Sequence, residues 1–420
     1  MKLSLKNIAK IKDAEIELNG ITVIAGENNT GKSTIGKALF SAFNSLHNIS
    51  EQINHERVTT ITQYINSFSG YNLMFYENHQ ELIHNILDKS PQENNPIEYI
   101  KKELEKIQFP DLPDSSNVRN GNIDDLAKSI KKIIDISNDE ILNIISTRRL
   151  KSEFNGQTNN IYSNDKGIIN LRIKDLSSQF IVSNEVVIKI ENIQNLNAEA
   201  VYIDDPFILD ETLNRFPRFL GRYRNAYDHR TLLVEKLKNT QVQNTAVDEI
   251  IIKNKLNQIY QKLSSVCSGK VVWGQPGLSY LENESEKELS IKNISTGLKT
   301  FVILKILLEN GILEQNGTII LDEPEIHLHP QWQLLLAEII VLLQKEFNMH
   351  ILLNTHSPYF LKAIEVYSAK HKIADKCNYY LAASENDTSK IVDVTYNTEE
   401  IYKLLAKPLQ DLENVRFEND

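Results

Sequence analysis

The hydrophobic pattern of the chain alternates between short buried strands and longer helices. Residues 21–25 form an apolar run, and the residues that follow are apolar at helical spacing, namely Ile35, Ala38, Leu39, Ala42, Phe43 and Leu46. Similar apolar runs occur at residues 319–321 and 350–353, and residues 332–347 are apolar on nearly every helical face. This order predicts an α/β fold in which a mixed sheet is flanked by helices.

Further strands are predicted on both sides of a stretch with a different composition. Residues 1–18 alternate loosely and predict two antiparallel strands, with an Asn19-Gly20 turn before the next strand. The later predicted elements are strands over 168–173, 179–182, 186–191 and 200–203, helices over 232–238 and 247–263, a small meander over 271–291, and a helix over 402–412. The strand pattern therefore stops near residue 46 and resumes near residue 165.

Residues 47–164 lie between these strand regions and are rich in Asn, Gln, Glu and Lys. Their apolar positions predict short amphipathic helices over 81–87, 97–107, 123–136 and 140–145, separated by proline and glycine. A long coiled coil would need sustained heptads, which this stretch lacks. We therefore expect a helical insertion over 47–164 within one domain made of residues 1–46 and 165–420.

Composition indicates a soluble globular protein of the cytoplasm. The 420 residues are 41% hydrophobic and 24% charged, and neither a membrane-spanning run nor the core of a signal peptide is present. The two cysteines, Cys267 and Cys377, fall in no metal or redox pattern, as expected for reduced thiols. A net charge of -10 argues against a broadly basic surface for nucleic acid but leaves a local basic groove open.

A glycine-rich segment follows the strand at 21–25. The phosphate loop, residues 26–34, reads Gly-Glu-Asn-Asn-Thr-Gly-Lys-Ser-Thr and fits the pattern G-x-x-x-x-G-K-[ST]. A strand, a glycine loop and a helix N-terminus together form an anion site, which favours this interpretation over a fortuitous turn. Lys32 would reach the β- and γ-phosphates of ATP, and the Ser33 hydroxyl would ligate Mg²⁺. The predicted nucleotide-binding residues of this loop are Gly26, Asn28, Asn29, Gly31, Lys32, Ser33 and Thr34.

The acidic turn, Asp322, Glu323 and Pro324, ends the apolar run at 319–321. Beside a phosphate loop, Asp322 is placed to hold Mg²⁺ through water and Glu323 to act as general base toward the attacking water. A solvated turn is the alternative. The pairing with the phosphate loop favours an ATP-hydrolysing site.

Three of the histidines after the acidic turn are candidate site residues. His327 and His329 stand beside carboxylates and raise the alternative of a zinc site, although no Cys/His pair elsewhere has metal-ligand spacing. A loop that meets a second subunit is the simpler interpretation. The histidine loop, residues 355–358, reads Thr-His-Ser-Pro after the strand at 350–354, so His356 is expected to reach the γ-phosphate rather than serve only in packing.

The signature segment, residues 293–300, reads Asn-Ile-Ser-Thr-Gly-Leu-Lys-Thr and opens a helix. Its helix N-terminus is a second anion site. Ser295 and Gly297 are expected to face the phosphate of a partner subunit rather than that of their own.

These motifs together resemble the ABC-type ATPase heads of the SMC, RecF and OLD class, AAA-type ATP-binding proteins of bacterial defence and repair loci. The resemblance covers residues 1–45 and roughly 165–365. It implies a P-loop NTPase head and a homodimer, or a larger oligomer, that holds ATP and Mg²⁺ between two heads. In that arrangement one head supplies its phosphate loop, acidic turn and His356, and the other supplies Ser295 and Gly297 in trans.

The chain departs from the class in several ways. The signature segment reads Ile-Ser-Thr-Gly-Leu-Lys where Leu-Ser-Gly-Gly-Gln is usual, and the insertion is too short for an SMC-like arm. Gln179 and the Asp204-Asp205 turn are the candidates for the glutamine-loop position. Only residues 365–420 follow the histidine loop, which is too little for the nuclease domain of OLD proteins. Asp375, Asp387 and Asp393 in this region are therefore expected to be scattered surface acids.

The leading hypothesis is an ATPase switch that controls a separate effector, a nuclease or toxin, in antiphage defence. The alternative is a DNA-repair or DNA-end-sensing ATPase, for which the cation- and aromatic-rich segment 215–224 is the candidate contact, or else a solvated face. The irregular signature segment and the insertion count against an ATPase subunit of a membrane transporter. The combination of Asp322, Glu323 and His356 argues for hydrolysis over a non-enzymatic scaffold.

Overall fold

The computed structural model describes residues 1–69, 79–106, 123–211, 227–238, 257–273, 278–281 and 288–418. Two compact units divide the chain: Met1–His47 joins Ser146–Asp420 in the larger unit, and Asn48–Ile145 forms the smaller unit. The segment 215–224 and the first part of the helix predicted over 247–263 lie outside the described residues.

The strands of the larger unit form two sheets. In chain order they are β1 (Lys2–Ile8), β2 (Ile11–Glu17), β3 (Ile21–Gly26), β4 (Gly167–Ile173), β5 (Leu176–Ser183), β6 (Val186–Glu191), β7 (Ala200–Ile203), β8 (Lys270–Trp273), β9 (Leu278–Leu281), β10 (Glu288–Ser290), β11 (Thr318–Asp322), β12 (His350–Thr355), β13 (Cys377–Glu385) and β14 (Thr388–Asp393). The large sheet has the order β6-β5-β4-β1-β2-β14-β13-β3-β12-β11-β7, and β10-β9-β8 form a separate antiparallel sheet. The predicted mixed α/β fold is confirmed.

The helices with defined bounds are α1 (Lys32–Ser45), α2 (Ile49–Ser69), α3 (His79–Lys89), α4 (Pro96–Glu105), α5 (Ile123–Asp135), α6 (Asn138–Glu153), α7 (Ile208–Glu211), α8 (His229–Lys238), α9 (Thr296–Glu309), α10 (Pro330–Phe347), α11 (Pro358–Lys370) and α12 (Glu399–Glu418). Residues 257–264, the described part of the helix predicted over 247–263, are also helical. None of the helices in the described ranges combines the length and the hydropathy needed to span a bilayer.

The neighbouring parallel strands β3, β12, β11 and β7 form the part of the large sheet that positions the candidate site. All residues of β3 and β11 are buried, because both faces of these strands are covered. On one face, Val23 and Leu321 belong to the main hydrophobic core together with residues of α9 and α10. On the other face, α1 approaches so closely that a Cβ at Gly36 would lie 3.1 Å from Ile320 Cγ2.

Two strands inside the large sheet have no counterpart in the sequence prediction. β13 pairs in parallel with β3, and β14 pairs in parallel with β2. Their sequences mix Asn, Ser, Thr and Tyr with apolar residues, so neither shows the clear period of a strand. Asp375, Asp387 and Asp393 are exposed around these strands. The residues after the histidine loop thus contribute β13 and β14 to the interior of the large sheet.

The smaller unit consists of helices around its own hydrophobic cluster. The buried members of this cluster are Ile61, Ile65, Ile83, Ile86, Ile100, Leu104, Leu126, Ala127, Ile130 and Ile133. The sequence places the end of the insertion at residue 164, whereas residues 146–164 belong to the larger unit. One reason is that Thr158 and Asn159 bond to the turn after β1, where the Ala9 N–H donates to Thr158 O at 2.8 Å.

Candidate active site

The phosphate loop follows β3 and leads into α1. Gly31 has a φ of 83°, and an added Cβ would lie 2.6 Å from Ile11 Cδ1, so a side chain at this position would be strained and crowded. Lys32 is buried, and its Nζ donates to Gly26 O at 3.0 Å and Glu27 O at 2.8 Å. The Ser33 side chain is exposed at the start of α1.

The N-terminus of α1 fits an anion. No side chain caps this end of the helix, and its first turn contains no acidic residue. Backbone N–H groups there lack helical partners, and the helix dipole adds positive potential. The buried Lys32 ammonium lies in the same loop. These features fit the phosphates of a nucleotide and agree with the predicted roles of Gly26, Asn28, Asn29, Gly31, Lys32, Ser33 and Thr34, which remain predictions.

Asp322, the last residue of β11, is buried and fixed through both carboxylate oxygens. Asn354 Nδ2 donates to Oδ1 at 3.0 Å, and the Tyr202 hydroxyl donates to Oδ2 at 2.8 Å. Within the described ranges, no three His, Cys, Asp or Glu side chains are grouped to hold a metal ion. Mg²⁺ typically needs only one or two protein carboxylates because substrate phosphates and waters complete its shell. Ser33 and Asp322 would thus hold it.

Glu323 adopts an unusual backbone conformation. Its φ is 49°, a left-handed value that costs a non-glycine residue about 1–3 kcal/mol. The Glu323 N–H donates to Asn354 O at 2.9 Å, which continues the pairing of β11 with β12 by one residue and holds the turn. Non-glycine residues in such conformations are concentrated at functional sites.

Three residues predicted from separate motifs meet at the Glu323 carboxylate. Glu323 Oε1 lies 3.6 Å from Lys32 Nζ and 3.3 Å from His356 Nδ1. They come from the carboxyl ends of β3, β11 and β12, which are adjacent parallel strands. The arrangement places a cation that suits phosphate, a carboxylate and an imidazole at one point.

Tyr202 was predicted only as part of a strand, yet it is the residue that links Asp322 to a buried charge network. Burial and the nearby Asp322 carboxylate hold the pKa of Tyr202 well above its usual value of 10, so its hydroxyl remains a donor. The Tyr202 ring stacks on the His229 ring, with centroids 4.3 Å apart. A local sequence pattern gives no signal for this link, because Tyr202, His229 and Asp322 are far apart in the chain.

His229 lies between two carboxylates. Its Nδ1 is 2.8 Å from Glu153 Oε2, and its Nε2 is 3.1 Å from Asp204 Oδ2. Burial alone would lower the pKa of His229, but Asp204 and Glu153 outweigh it and raise the pKa to about 9. Burial likewise opposes the charge of Asp204, but His229 and Arg230 bring its pKa to about 2. His229 and Asp204 are therefore both charged near neutral pH.

The change Tyr202→Phe is expected to raise the Mg²⁺ concentration for half-maximal ATP hydrolysis about tenfold. Loss of a side chain that orients a metal-binding residue typically costs about 10- to 100-fold in metal affinity, and Asn354 still holds the other Asp322 oxygen. A magnesium titration of the hydrolysis rate measures the shift. Tyr380→Phe is the matched control, since the Tyr380 hydroxyl lies on β13 and accepts from the Glu17 N–H. An unchanged titration in Tyr202→Phe would show that the Tyr202 hydrogen bond does not orient Asp322 for metal binding.

The two glutamine-loop candidates lie at opposite ends of the large sheet. Gln179 is on β5, far from β3 in the strand order, whereas Asp204 and Asp205 follow β7, the neighbour of β11. Asp204, Asp205, Asp322 and Glu323 line one cavity of about 270 Å³. Of the two candidates, the structure brings only the Asp204-Asp205 turn to the cavity that Asp322 and Glu323 line.

The signature segment is held by contacts within its own chain. The exposed Ser295 caps α9, accepting from the Leu298 N–H at 3.4 Å. A Cβ at Gly297 would lie 2.8 Å from His327 O, so glycine allows this close approach. The buried Lys299 Nζ donates to both carboxylate oxygens of Asp210, at 2.7 and 2.8 Å. Within the described residues, no hydrogen bond or ion pair joins Ser295 to the phosphate loop, and its trans role remains a prediction.

His327 and His329 have separate structural contacts. The His327 ring packs edge-on against Phe207, with centroids 5.6 Å apart. His329 caps α10, where its Nδ1 accepts from the Gln331 N–H at 3.4 Å.

Cys267 and Cys377 are both buried free thiols.

One known protein family matches residues 21–362, which contain all four motifs; it is described as "AAA domain, putative AbiEii toxin, Type IV TA system". Two curated relatives match shorter parts. The Retron Vc95 probable ATPase of Vibrio cholerae serotype O1 biovar El Tor is 32% identical over 115 residues, 25% of this chain and 21% of that protein. The Retron Ec83 probable ATPase of Escherichia coli is 29% identical over 139 residues, 27% and 25% of the two chains. The match thus spans about a quarter or less of each relative's length.

Solved structures of SMC heads are also similar. The SMC head domain from Thermotoga maritima has a TM-score of 0.35 at 11% identity, covering 94% of this chain and 98% of that chain. An SmcHead bound to the C-winged helix domain of ScpA has a TM-score of 0.38 at 13% identity, with coverage of 93% and 97%. Scores this low carry no argument about function. The family model, by contrast, matches residues 21–362, which is most of the chain. The chain therefore belongs to this family of AAA domains, as the resemblance implied.

Proposed function

We propose that this chain is an ATP-hydrolysing switch that dimerises head to tail around ATP and controls a separate effector, a nuclease or toxin, in antiphage defence. The main support for the ATPase activity is that Lys32, Glu323 and His356 meet: the Lys32 ammonium and the His356 imidazole both lie within 3.6 Å of Glu323 Oε1. The names of the relatives, probable ATPases of retrons, support the activity and the defence setting.

The geometry supports hydrolysis by positioning and charge neutralisation. The N-terminus of α1 and Lys32 bind the β- and γ-phosphates, and Glu323 accepts the proton of the attacking water. His356 stands beside Glu323, where it can contact the γ-phosphate. Bound Mg²⁺ would neutralise charge that develops on the phosphates, with Ser33 and Asp322 holding it. These residues suffice because phosphoryl transfer to water needs little covalent chemistry from the protein.

The exposed end of the signature segment supports the proposed dimer. Ser295 is exposed at the N-terminus of α9, whose first turn contains no acidic residue. That terminus suits an anion, so the γ-phosphate bound by a second copy is the proposed contact. Gly297, predicted to face the phosphate of a partner subunit, is buried and lets the segment pack on the residues after the acidic turn; its role in trans stays a prediction.

Phosphate release from Mg²⁺-ATP by the purified chain tests the activity. Lys32→Ala is expected to lower hydrolysis at least about 100-fold and to weaken ATP binding, because Lys32 is the buried cation of the loop. Lys37→Ala, on the same helix, is the control and should hydrolyse ATP at the wild-type rate. Equal hydrolysis by Lys32→Ala would place the activity outside this loop and overturn the proposed site.

A further inference from the structure

Two buried polar side chains lie behind the catalytic turn and belong to none of the roles described above. Glu325 follows the acidic turn and is 2% exposed, and Thr355 ends β12 just before His356 and is fully buried. The Thr355 hydroxyl donates to Glu325 Oε1, and it accepts from the Ser357 N–H at 3.0 Å. A single hydroxyl thus joins the loop that carries Glu323 to the loop that carries His356.

This contact lies beyond the end of the strand pairing. The β11–β12 ladder closes with Asp322 opposite Asn354, and the bond from the Glu323 N–H to Asn354 O is the last backbone link. Past that point, the backbone no longer fixes the separation of the two loops. Within the described residues, the Glu325–Thr355 bond is the next direct hydrogen bond between them.

The buried carboxyl group of Glu325 is costly for the fold. Among the described residues its Oε2 has no hydrogen-bond partner. Burial raises the pKa of Glu325 to about 7, although the hydrogen bond from Thr355 opposes this rise. A buried polar atom without a partner costs about 1–3 kcal/mol. An apolar residue of similar size would avoid that cost, so stability alone does not explain a glutamate here.

We propose that Glu325 and Thr355 are positioning residues whose hydrogen bond fixes the histidine loop against the acidic turn, so that His356 stays within reach of Glu323 during hydrolysis. The inference rests on the proposed ATPase activity. Neither side chain forms a hydrogen bond to the phosphate loop within the described part of the chain. We call the hydrogen bond between Glu325 and Thr355 the clamp. It is expected to act on the chemical step and to leave nucleotide affinity unchanged.

Thr355→Val removes the hydroxyl at nearly constant volume, and Thr355→Ser retains it. We expect kcat for ATP hydrolysis to fall about 10- to 100-fold in Thr355→Val, because a displacement near 1 Å can cost about 100-fold in rate. KM and the Kd for ATP should change less than about twofold. Thr355→Ser should recover most of the rate. Thr318→Val, at the opposite end of β11 and also buried, is the matched control and should leave kcat unchanged.

Glu325→Leu removes the acceptor instead of the donor. Because both changes break the same bond, the double variant with Thr355→Val should be no slower than the slower single variant. If the rate losses of the two single variants multiply in the double variant, the residues act independently and the clamp is overturned. A fall in kcat with an equal rise in Kd would likewise assign a general structural role.

Amide hydrogen exchange tests the clamp without turnover. In Glu325→Leu, the Thr355 hydroxyl is retained, and the amides of His356 and Ser357 should exchange at least about tenfold faster while those of β11 remain protected. Unchanged exchange would overturn the clamp even if the wild-type chain did not hydrolyse ATP. If the wild-type chain hydrolyses ATP and Thr355→Val has the same kcat, only the clamp is overturned and the ATPase proposal stands.

Discussion

Replacing Glu323 with glutamine is expected to lower ATP hydrolysis about 10²- to 10⁴-fold while ATP remains bound, because a general base typically contributes that factor. Glutamine retains the size of glutamate but cannot accept the proton of the attacking water. The backbone of residue 323 should keep its left-handed conformation, since it is held by the N–H bond to Asn354 O. Lys32, the proposed phosphate-binding residue, loses a neighbouring negative charge, which favours rather than weakens the binding of phosphate.

Single-turnover hydrolysis and equilibrium ATP binding, measured on the same Glu323→Gln protein, separate chemistry from affinity. Glu385→Gln, at the exposed end of β13, is the matched control and should behave as wild type. Turnover near the wild-type rate in Glu323→Gln would remove Glu323 from the role of base. Loss of ATP binding would instead assign it to nucleotide affinity.

The Glu323→Gln variant also tests the proposed dimer. If two heads enclose ATP, Glu323→Gln should form an ATP-dependent dimer by light scattering, since hydrolysis no longer opens it. Purified from its native host in that state, it should retain a nuclease or toxin as the effector. A monomer that binds ATP would contradict the switch. DNA with repair factors in place of an effector would favour the alternative of a DNA-end-sensing ATPase.

The sequence was sufficient to predict the residues that meet at the Glu323 carboxylate. Lys32, Glu323 and His356 each follow an apolar run, and the carboxyl ends of adjacent parallel strands meet at one edge of a sheet. The backbone motif around each residue is local, so a pattern of a few residues identifies it. The distances between motifs then follow from the pairing of β3, β12 and β11.

What the sequence did not predict depends on contacts between distant segments. β13 and β14 have weak patterns, and they form strands because β3 and β2 offer free edges in the sheet. Tyr202 is indistinguishable in sequence from any strand tyrosine, and it gains its role only because β7 lies beside β11. The smaller unit ends at residue 145 and the predicted insertion at 164; Thr158 and Asn159 bond to the turn after β1, which no local pattern reveals.

His229 also illustrates a distant network, and it has a large expected effect on stability. Replacing it with glutamine should lower the free energy of unfolding by about 3 kcal/mol at neutral pH, since breaking a buried ion pair costs about 3–5 kcal/mol. Asp204 keeps its partner Arg230, with Nη2 at 2.8 Å from Oδ2, which favours the lower end of that range. Glu153 loses the imidazolium whose Nδ1 lies 2.8 Å from its Oε2.

The contribution of His229 has a defined pH dependence. Its pKa rises from an ordinary 6.5 to about 9 on folding, so its stabilisation is complete below about pH 6.5 and disappears as the pH rises through 9. A rise of this size corresponds to about 3 kcal/mol. The depressed pKa of Asp204, about 2, places its own loss at acid pH, well away from this window.

Urea unfolding of the wild-type chain and His229→Gln at pH 6 and pH 9.5 measures this difference. The gap between the two proteins should be near 3 kcal/mol at pH 6 and close to zero at pH 9.5, because other groups that titrate there act equally on both. His55→Gln, an exposed position of α2, is the matched control and should follow the wild-type curve at both pH values. A constant gap would mean that His229 is neutral in the folded protein and stabilises it by packing on Tyr202 rather than by its charge.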